Sequence, residues 1–300
     1  MAATREARCR LGLGTVQFGL DYGVANRDGQ VSERDAAAIL AHAERRGLSW
    51  LDTAAAYGDA ESVLGCTLAY HHRFRIVTKI PPLRTASVGK AELRRAVETF
   101  ALSLARLRQP RVAGLLAHHA EDLLVPGGDA LYAQMLAWKR DGLTERIGAS
   151  IYDRRQADAL LDRYDLDLVQ LPLNLYDQRL LRDGTLARLH ARGVEIHVRS
   201  ALLQGVLATA PEALPPHLQG LAGHQRRFHD FLAQRGLSPL QAAFGFVRAL
   251  PEADVCLAGV LSAAQLDECI DAFDSAPGDD FSGFAVGDEA LIDPRTWPTR

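Results

Sequence analysis

Eight short apolar runs punctuate the chain, beginning near residues 11, 48, 75, 112, 147, 167, 194 and 255, and each is followed by a stretch of helical spacing. In FRIVTK (74–79) and VAGLLAH (112–118) the apolar residues are nearly continuous, which marks strands buried on both faces. The intervening stretches carry helix signals. Ser32 caps a helix running to about Arg46, with Asp35 three residues on and Ala36, Ile39, Leu40 and Ala43 on one face. A helix over Lys90 to Leu107 turns Leu93, Val97, Phe100, Leu104 and Leu107 inward. Further helices are predicted at Glu61 to Ala69, Asp129 to Lys139, Arg154 to Asp162, Gly184 to Arg192, Pro239 to Leu250 and Ala263 to Phe273. Leu221 to Gln234 reads as an extra helix in a long late loop.

Parallel strands need crossover helices, so the alternation predicts an α/β protein of the (β/α)8 TIM-barrel type. A doubly wound open sheet is the structural alternative. One barrel over residues 1–275 accounts for the rhythm. The tail, 276–300, is rich in Gly, Asp and Pro and reads as irregular and surface-lying over one mouth of the barrel.

Composition narrows the function more than the fold. A net charge of −3, with acids and bases interspersed, offers no footprint for nucleic acid or an anionic membrane, so small-molecule or protein partners are expected. Cysteines 9, 66, 256 and 269 show no CxxC spacing, and Cys66 and Cys256 lie in apolar surroundings, as in a reduced, cytoplasmic protein. The N-terminus has no signal-like core and no run is long enough to span a bilayer. His118 and His119 alternate faces on a strand, His71-His72 falls in a polar turn, and GLGT lacks the full GxGxxG spacing, so neither a metal site nor a Rossmann site is indicated.

Lysine usage stands out. Lys occurs only at 79, 90 and 139, leaving 34 − 3 = 31 of the basic residues as Arg, and Lys79 closes a buried strand. A compact ammonium at a strand end suggests a specific need for it. In a parallel barrel the ligand sits beyond the carboxyl ends of the strands, where Asp52, Lys79 and His118 would all lie, with Tyr57 five residues after Asp52. Taken alone, LSWLDTAAAYG reads more readily as a turn capped by Asp52 with a surface Tyr. Taken together, Lys79 could lower the Tyr57 pKa toward proton transfer, Asp52 would balance the ammonium, and His118 could hydrogen-bond a carbonyl.

The runs DTAAAYG (52–58), GDAESVLG (58–65), VTK (77–79) and LLAH (115–118) resemble the aldo-keto reductases, and the likeness extends from Leu11 to about Phe273. That resemblance implies Tyr57 as general acid, Asp52 and Lys79 tuning it, and His118 orienting a carbonyl substrate. It implies NADP or NAD as cofactor, with Ser150 and Gln170 at the nicotinamide amide and Ile151 where the family has Asn. Arg199 stands where an aromatic residue stacks on the nicotinamide, and could instead grip an anionic substrate or a phosphate. Ser200, Leu202 and Gly205 match the pyrophosphate loop. At the adenosine end Gly259, Leu261 and Gln265 replace the Lys or Arg of many NADP-dependent members, Glu268 matches an adenine contact and Cys269 replaces an Asn. Gln17, Tyr22 and Asn174 are expected to shape the substrate pocket, and Asp177-Gln178-Arg179 could touch substrate.

The expectation is therefore an oxidoreductase that passes hydride from a nicotinamide to an aldehyde or ketone, with Tyr57 as general acid. A cofactor-retaining epimerase or eliminase acting on a small carbonyl compound or sugar, and a weakly catalytic nucleotide-binding regulatory barrel, are the alternatives. Substrate identity and oligomeric state are not legible.

Overall fold

The computed structural model describes residues 9–68 and 72–298. Eight strands run parallel: β1 (Arg10–Gly14), β2 (Trp50–Asp52), β3 (Arg75–Ile80), β4 (Gly114–Ala117), β5 (Ile147–Ser150), β6 (Leu168–Pro172), β7 (Glu195–Arg199) and β8 (Val255–Gly259). Each pairs with the next, and Arg10–Gly14 pairs with Val255–Gly259 to close the barrel. That closing register excludes the open sheet. Crossover helices cover the outside, and among the described residues no helix is long and apolar enough to cross a membrane.

The alternation of side chains along each strand sorts the chain into two cores. Outward residues such as Leu51, Ile76, Leu115 and Val169 join the large cluster between strands and helices. Inward residues Trp50, Val77, Leu116, Leu168, Val255 and Leu257 form a second cluster inside the barrel. His197 joins it edge-on against Trp50, with ring centroids 4.8 Å apart. Each such apolar side chain contributes roughly 1.5–3 kcal/mol by leaving water. Two residues further along the same strands, the inward positions are Asp52, Lys79, His118, Gln170, Arg199 and Gly259. The apolar layer is thus the floor on which a polar layer stands.

Ser32 accepts a hydrogen bond from the Asp35 backbone N–H, and the helix Glu33–Arg45 buries Ala36, Ile39, Leu40 and Ala43 as expected. The late-loop helix spans Ala222–Arg235. Helix Ala60–Thr67 ends before the expected Ala69, which, like His71, lies outside the described residues.

Helix Lys90–Leu107 has the expected bounds and, apart from Val97, the expected inner face. It buries Ala96, Phe100, Ser103 and Leu107, whereas Val97 is 37% exposed and Leu93 and Leu104 are half-buried. At its C-terminal end this helix packs closely on the preceding one: a Cβ placed on Gly65 would lie 1.9 Å from the Arg106 carbonyl oxygen. Cys66, expected in apolar surroundings, is exposed, with Arg108 Nη2 3.5 Å from its sulfur. It follows the glycine that makes this helix contact.

The tail also departs from expectation. Beyond residue 275 it forms short turns at Ser282–Phe284, Glu289–Ile292 and Pro294–Thr296, and buries Phe281, Ile292 and Trp297. Asp177-Gln178-Arg179 anchors it instead of facing a substrate. Gln178 Nε2 donates to the Phe281 carbonyl at 3.0 Å, and Arg179, held by buried Asp177, reaches Glu289 at 3.0 Å. These contacts lie past the carboxyl end of β6, so the tail borders the mouth that carries the polar layer.

Candidate active site

A cavity of about 540 Å³ opens at the carboxyl ends of the strands and is lined by Asp52, Tyr57, His118, Ser150, Gln170 and Arg199, among others. Lys79 lies beneath this lining, 1% exposed. Its ammonium donates to both Asp52 carboxylate oxygens (2.7 and 2.8 Å) and to the Thr53 carbonyl (2.8 Å), and it stands 3.4 Å from the Tyr57 hydroxyl. Gln170 Nε2 donates to Asp52 Oδ1 at 2.7 Å. Burial pulls the Lys79 pKa down and Asp52 opposes it, leaving it below the ordinary value.

Tyr57 is held protonated. Desolvation raises its pKa first and the charge of Asp52 adds to that, so the expected downward pull of Lys79 does not prevail in the resting protein. The physical reason is that Asp52, at 2.7 Å, neutralises the ammonium, whereas the phenol is further off at 3.4 Å. His118 stands edge-on to the Tyr57 ring, centroids 5.6 Å apart. Burial, then the charges of Lys79 and Arg199, push its pKa down to about 3, so it is a neutral imidazole at physiological pH. Its Nδ1 is buried and makes no hydrogen bond.

The turn that carries Tyr57 is set by glycines that the sequence reading passed over. Gly58 has φ +54°, in the left-handed region. A Cβ on Gly58 would lie 2.3 Å from the Gly19 carbonyl oxygen, and one on Gly19 would lie 1.8 Å from that of Tyr57. Backbone thus packs on backbone, and only a pair of glycines permits it. On the outer side, buried Glu61 accepts from Thr78 Oγ1 at 2.6 Å and ties the next helix to β3 beside Lys79. Burial raises the Glu61 pKa.

The residues expected to hold a nicotinamide nucleotide mostly line the same cavity. Ser150 and Gln170 are buried, and Gln170 Oε1 has no hydrogen-bond partner, which suits it to accept from a carboxamide N–H. Ile151 is in the outer core and does not reach the cavity. The loop after β7 is strained: Ser200, Leu203 and Gln204 have φ of +61°, +47° and +55°, and Gly205 has +90°. Such conformations persist only where the surroundings enforce them. The Gln204 carbonyl accepts from Ala25 N (3.3 Å) and its side chain donates to the Tyr22 hydroxyl (3.2 Å), so the loop after β1 meets this loop across the mouth. Ser200, Leu202, Gly205, Gly259, Leu261, Gln265, Glu268 and Cys269 all line the cavity. Gln265 Oε1 is occupied by the Leu261 N–H at 2.8 Å.

Of the expected substrate residues, Gln17 and Tyr22 line the cavity. Asn174 does not. It is fully buried, accepts from the N–H groups of Tyr176 and Asp177 at 2.9 Å, and donates to the Ser200 carbonyl at 3.2 Å. Its carbonyl oxygen is spent on its own turn, and the side chain is buried away from the cavity. Tyr152, which the sequence reading did not single out, does line the cavity, with the Arg199 guanidinium 4.2 Å and that of Arg295 3.8 Å from its ring centre.

A closed parallel barrel whose carboxyl mouth gathers a phenol, a buried ammonium–carboxylate pair and a neutral imidazole is a barrel enzyme equipped for proton transfer. More particularly, the sequence matches the aldo/keto reductase family over residues 10–280, and the chain belongs to that family. It is accordingly an oxidoreductase dependent on NADP or NAD. Similar solved structures include PA4992 of Pseudomonas aeruginosa, with 26% identity and a TM-score of 0.65, covering 89% of this chain and 90% of that one. The holo form of aldo-keto reductase AKR11C1 from Bacillus halodurans has 19% identity and a TM-score of 0.72, covering 89% and 87%. An aldo-keto reductase from Klebsiella pneumoniae in complex with NADPH has 21% identity and a TM-score of 0.67, covering 97% and 92%. The last two attest the shared fold. No curated protein matches the sequence.

Proposed function

We propose that this enzyme reduces an aldehyde or ketone, with Tyr57 handing a proton to the carbonyl oxygen. The observation that carries this reading is the Tyr57 hydroxyl 3.4 Å from an ammonium that is itself held by Asp52. In the resting state the phenol keeps its proton. As the carbonyl oxygen gains charge and draws that proton, the ammonium stabilises the oxygen left behind, a contribution that grows along the reaction path. A placed acid of this kind is worth about 10²- to 10⁴-fold in rate. His118, neutral in this setting, would donate a hydrogen bond to the carbonyl and fix its direction.

The bound nicotinamide supplies the hydride. Ser150 and Gln170 would hold its amide, the Ser200–Gly205 loop its phosphates, and the Gly259, Gln265 and Glu268 end its adenosine. No Lys or Arg lines that adenosine end, so a 2'-phosphate would find no permanent cation there, which favours NAD at least as much as NADP. A regulatory binder would have no use for a buried Lys under a Tyr, and this favours catalysis over the regulatory alternative.

The test is Tyr57→Phe, assayed with NADPH and NADH on a panel of small aldehydes and ketones. Turnover should fall about 10²- to 10⁴-fold while fluorescence titration shows nucleotide binding within about threefold of wild type. Wild-type activity in the variant removes Tyr57 as the acid, and absence of saturable binding of either nucleotide removes the reading altogether.

A further inference from the structure

We infer that the substrate carries an anionic group, a carboxylate or phosphate, and that Arg199 is the residue that binds it. This rests on the carbonyl-reductase reading above and adds the substrate class to it. Arg199 is the only Lys or Arg among the residues lining the cavity. It is the last residue of β7, one inward position beyond His197, which is fully buried against Trp50, so its stem is fixed by the barrel floor. Its guanidinium rests on the Tyr152 ring at 4.2 Å and makes one long hydrogen bond, Nη2 to the Ile151 carbonyl at 3.4 Å.

Among the described residues no carboxylate pairs with it. Arg179 and Arg295, on the same rim, are held by Asp177 and Asp293. The one acid at the base of the cavity, Asp52, already accepts from Lys79 and Gln170. With five N–H donors in a fixed fork, Arg199 keeps an edge free for a bidentate oxyanion. Lys79 is held by Asp52, so the Arg199 guanidinium is the cation of the cavity that has no acid beside it. Its charge is close enough to depress the pKa of both Tyr57 and His118. A half-buried cation without a counter-ion is poorly solvated, and an anionic substrate would complete it.

The competing source of the same oxyanion is a phosphate of the cofactor, and paired substrates separate the two. We would measure kcat/KM for glyoxylate against acetaldehyde and for 4-oxobutanoate against butanal, each pair differing by a carboxylate in place of a methyl. In the better of the two pairs the wild-type enzyme should prefer the anion by about 10- to 150-fold, the range of a charge-assisted hydrogen bond. Arg199→Gln should remove most of that ratio, chiefly through the KM of the anion, and Arg199→Lys should restore part of it. An unchanged ratio overturns the proposal. So does an equal loss with both members of a pair accompanied by weaker NADPH binding, which would assign Arg199 to the cofactor.

If none of the four aldehydes is reduced, the carbonyl-reductase reading fails separately. Calorimetric titration with succinate in the presence of NADPH then decides the present inference. Saturable binding weakened at least tenfold in Arg199→Gln supports it, and equal or absent binding in the two proteins overturns it.

Discussion

One added methyl group on Gly19 tests whether the placement of Tyr57 depends on the paired glycines. In Gly19→Ala the new Cβ would lie 1.8 Å from the Tyr57 carbonyl oxygen, 2.5 Å from Ala60 N and 2.8 Å from Asp59 N. All three are backbone atoms, so no rotamer change can relieve the overlap. Restoring an ordinary contact of 3.4 Å requires the two segments to part by 1.6 Å (3.4 − 1.8). Because β2 and its ladder to β3 hold the turn on one side, the movement falls on the turn itself and carries the phenol away from Lys79. A displacement of about 1 Å in a positioned group costs roughly 10²-fold, so kcat should fall by about that factor, with stability down about 1–3 kcal/mol. Gly19 does not line the cavity, so nucleotide affinity should change less than threefold. Steady-state kinetics, NADPH titration and a urea melt read the three quantities. Gly223→Ala is the control, since a Cβ there meets nothing within 4 Å. A folded Gly19→Ala enzyme with kcat within threefold of wild type would refute the argument.

Two further outcomes follow from the buried charges. Lys79→Met strips Asp52 of its cation inside the barrel and should cost about 3–5 kcal/mol in urea denaturation, most of it regained in Lys79→Met/Asp52→Leu without recovery of turnover. A single variant as stable as wild type would mean that Asp52 takes up a proton readily. His118 titrates at about 3 when folded, against an ordinary 6.5. Between those values the unfolded chain binds the proton first, so its contribution to stability is complete above pH 6.5 and declines as pH falls toward 3. At pH 5 the loss is about 2 kcal/mol, and the wild-type stability curve should be steeper than that of His118→Gln by that amount between pH 6.5 and 5. Parallel curves would show that His118 is not desolvated.

The barrel was legible because strands buried on both faces cannot alternate, and each apolar run was long enough to be recognised. The polar layer was legible too, since Asp52, Lys79 and His118 all end such runs and side-chain alternation places them on one inward face. What escaped depended on contacts between distant segments. Gly65 packs backbone to backbone against Arg106 at the end of helix Lys90–Leu107, and no spacing rule encodes that approach. Asn174 was read as a ligand for substrate because it follows a strand, but its amide closes a local turn. Arg179 looked free because its tail partners Glu289 and Asp293 lie far along the sequence. The Tyr57 pKa was read in the wrong direction because the sequence could not weigh Asp52 at 2.7 Å against the phenol at 3.4 Å.

Closure of the barrel between β1 and β8 has a consequence during synthesis. One partner of the first strand, β2, follows early, but the other, β8, is the last strand to leave the ribosome, so one edge of Arg10–Gly14 waits unpaired until Val255–Gly259 is made. Over that interval the β1 and β7 edges are both open to pairing with other nascent chains. The register Leu13 to Ala258 and Gly14 to Gly259 ends that exposure and at the same moment brings Gly259 against Gln17 in the cavity. Completion of the cavity and disappearance of the aggregation-prone edges are therefore one event.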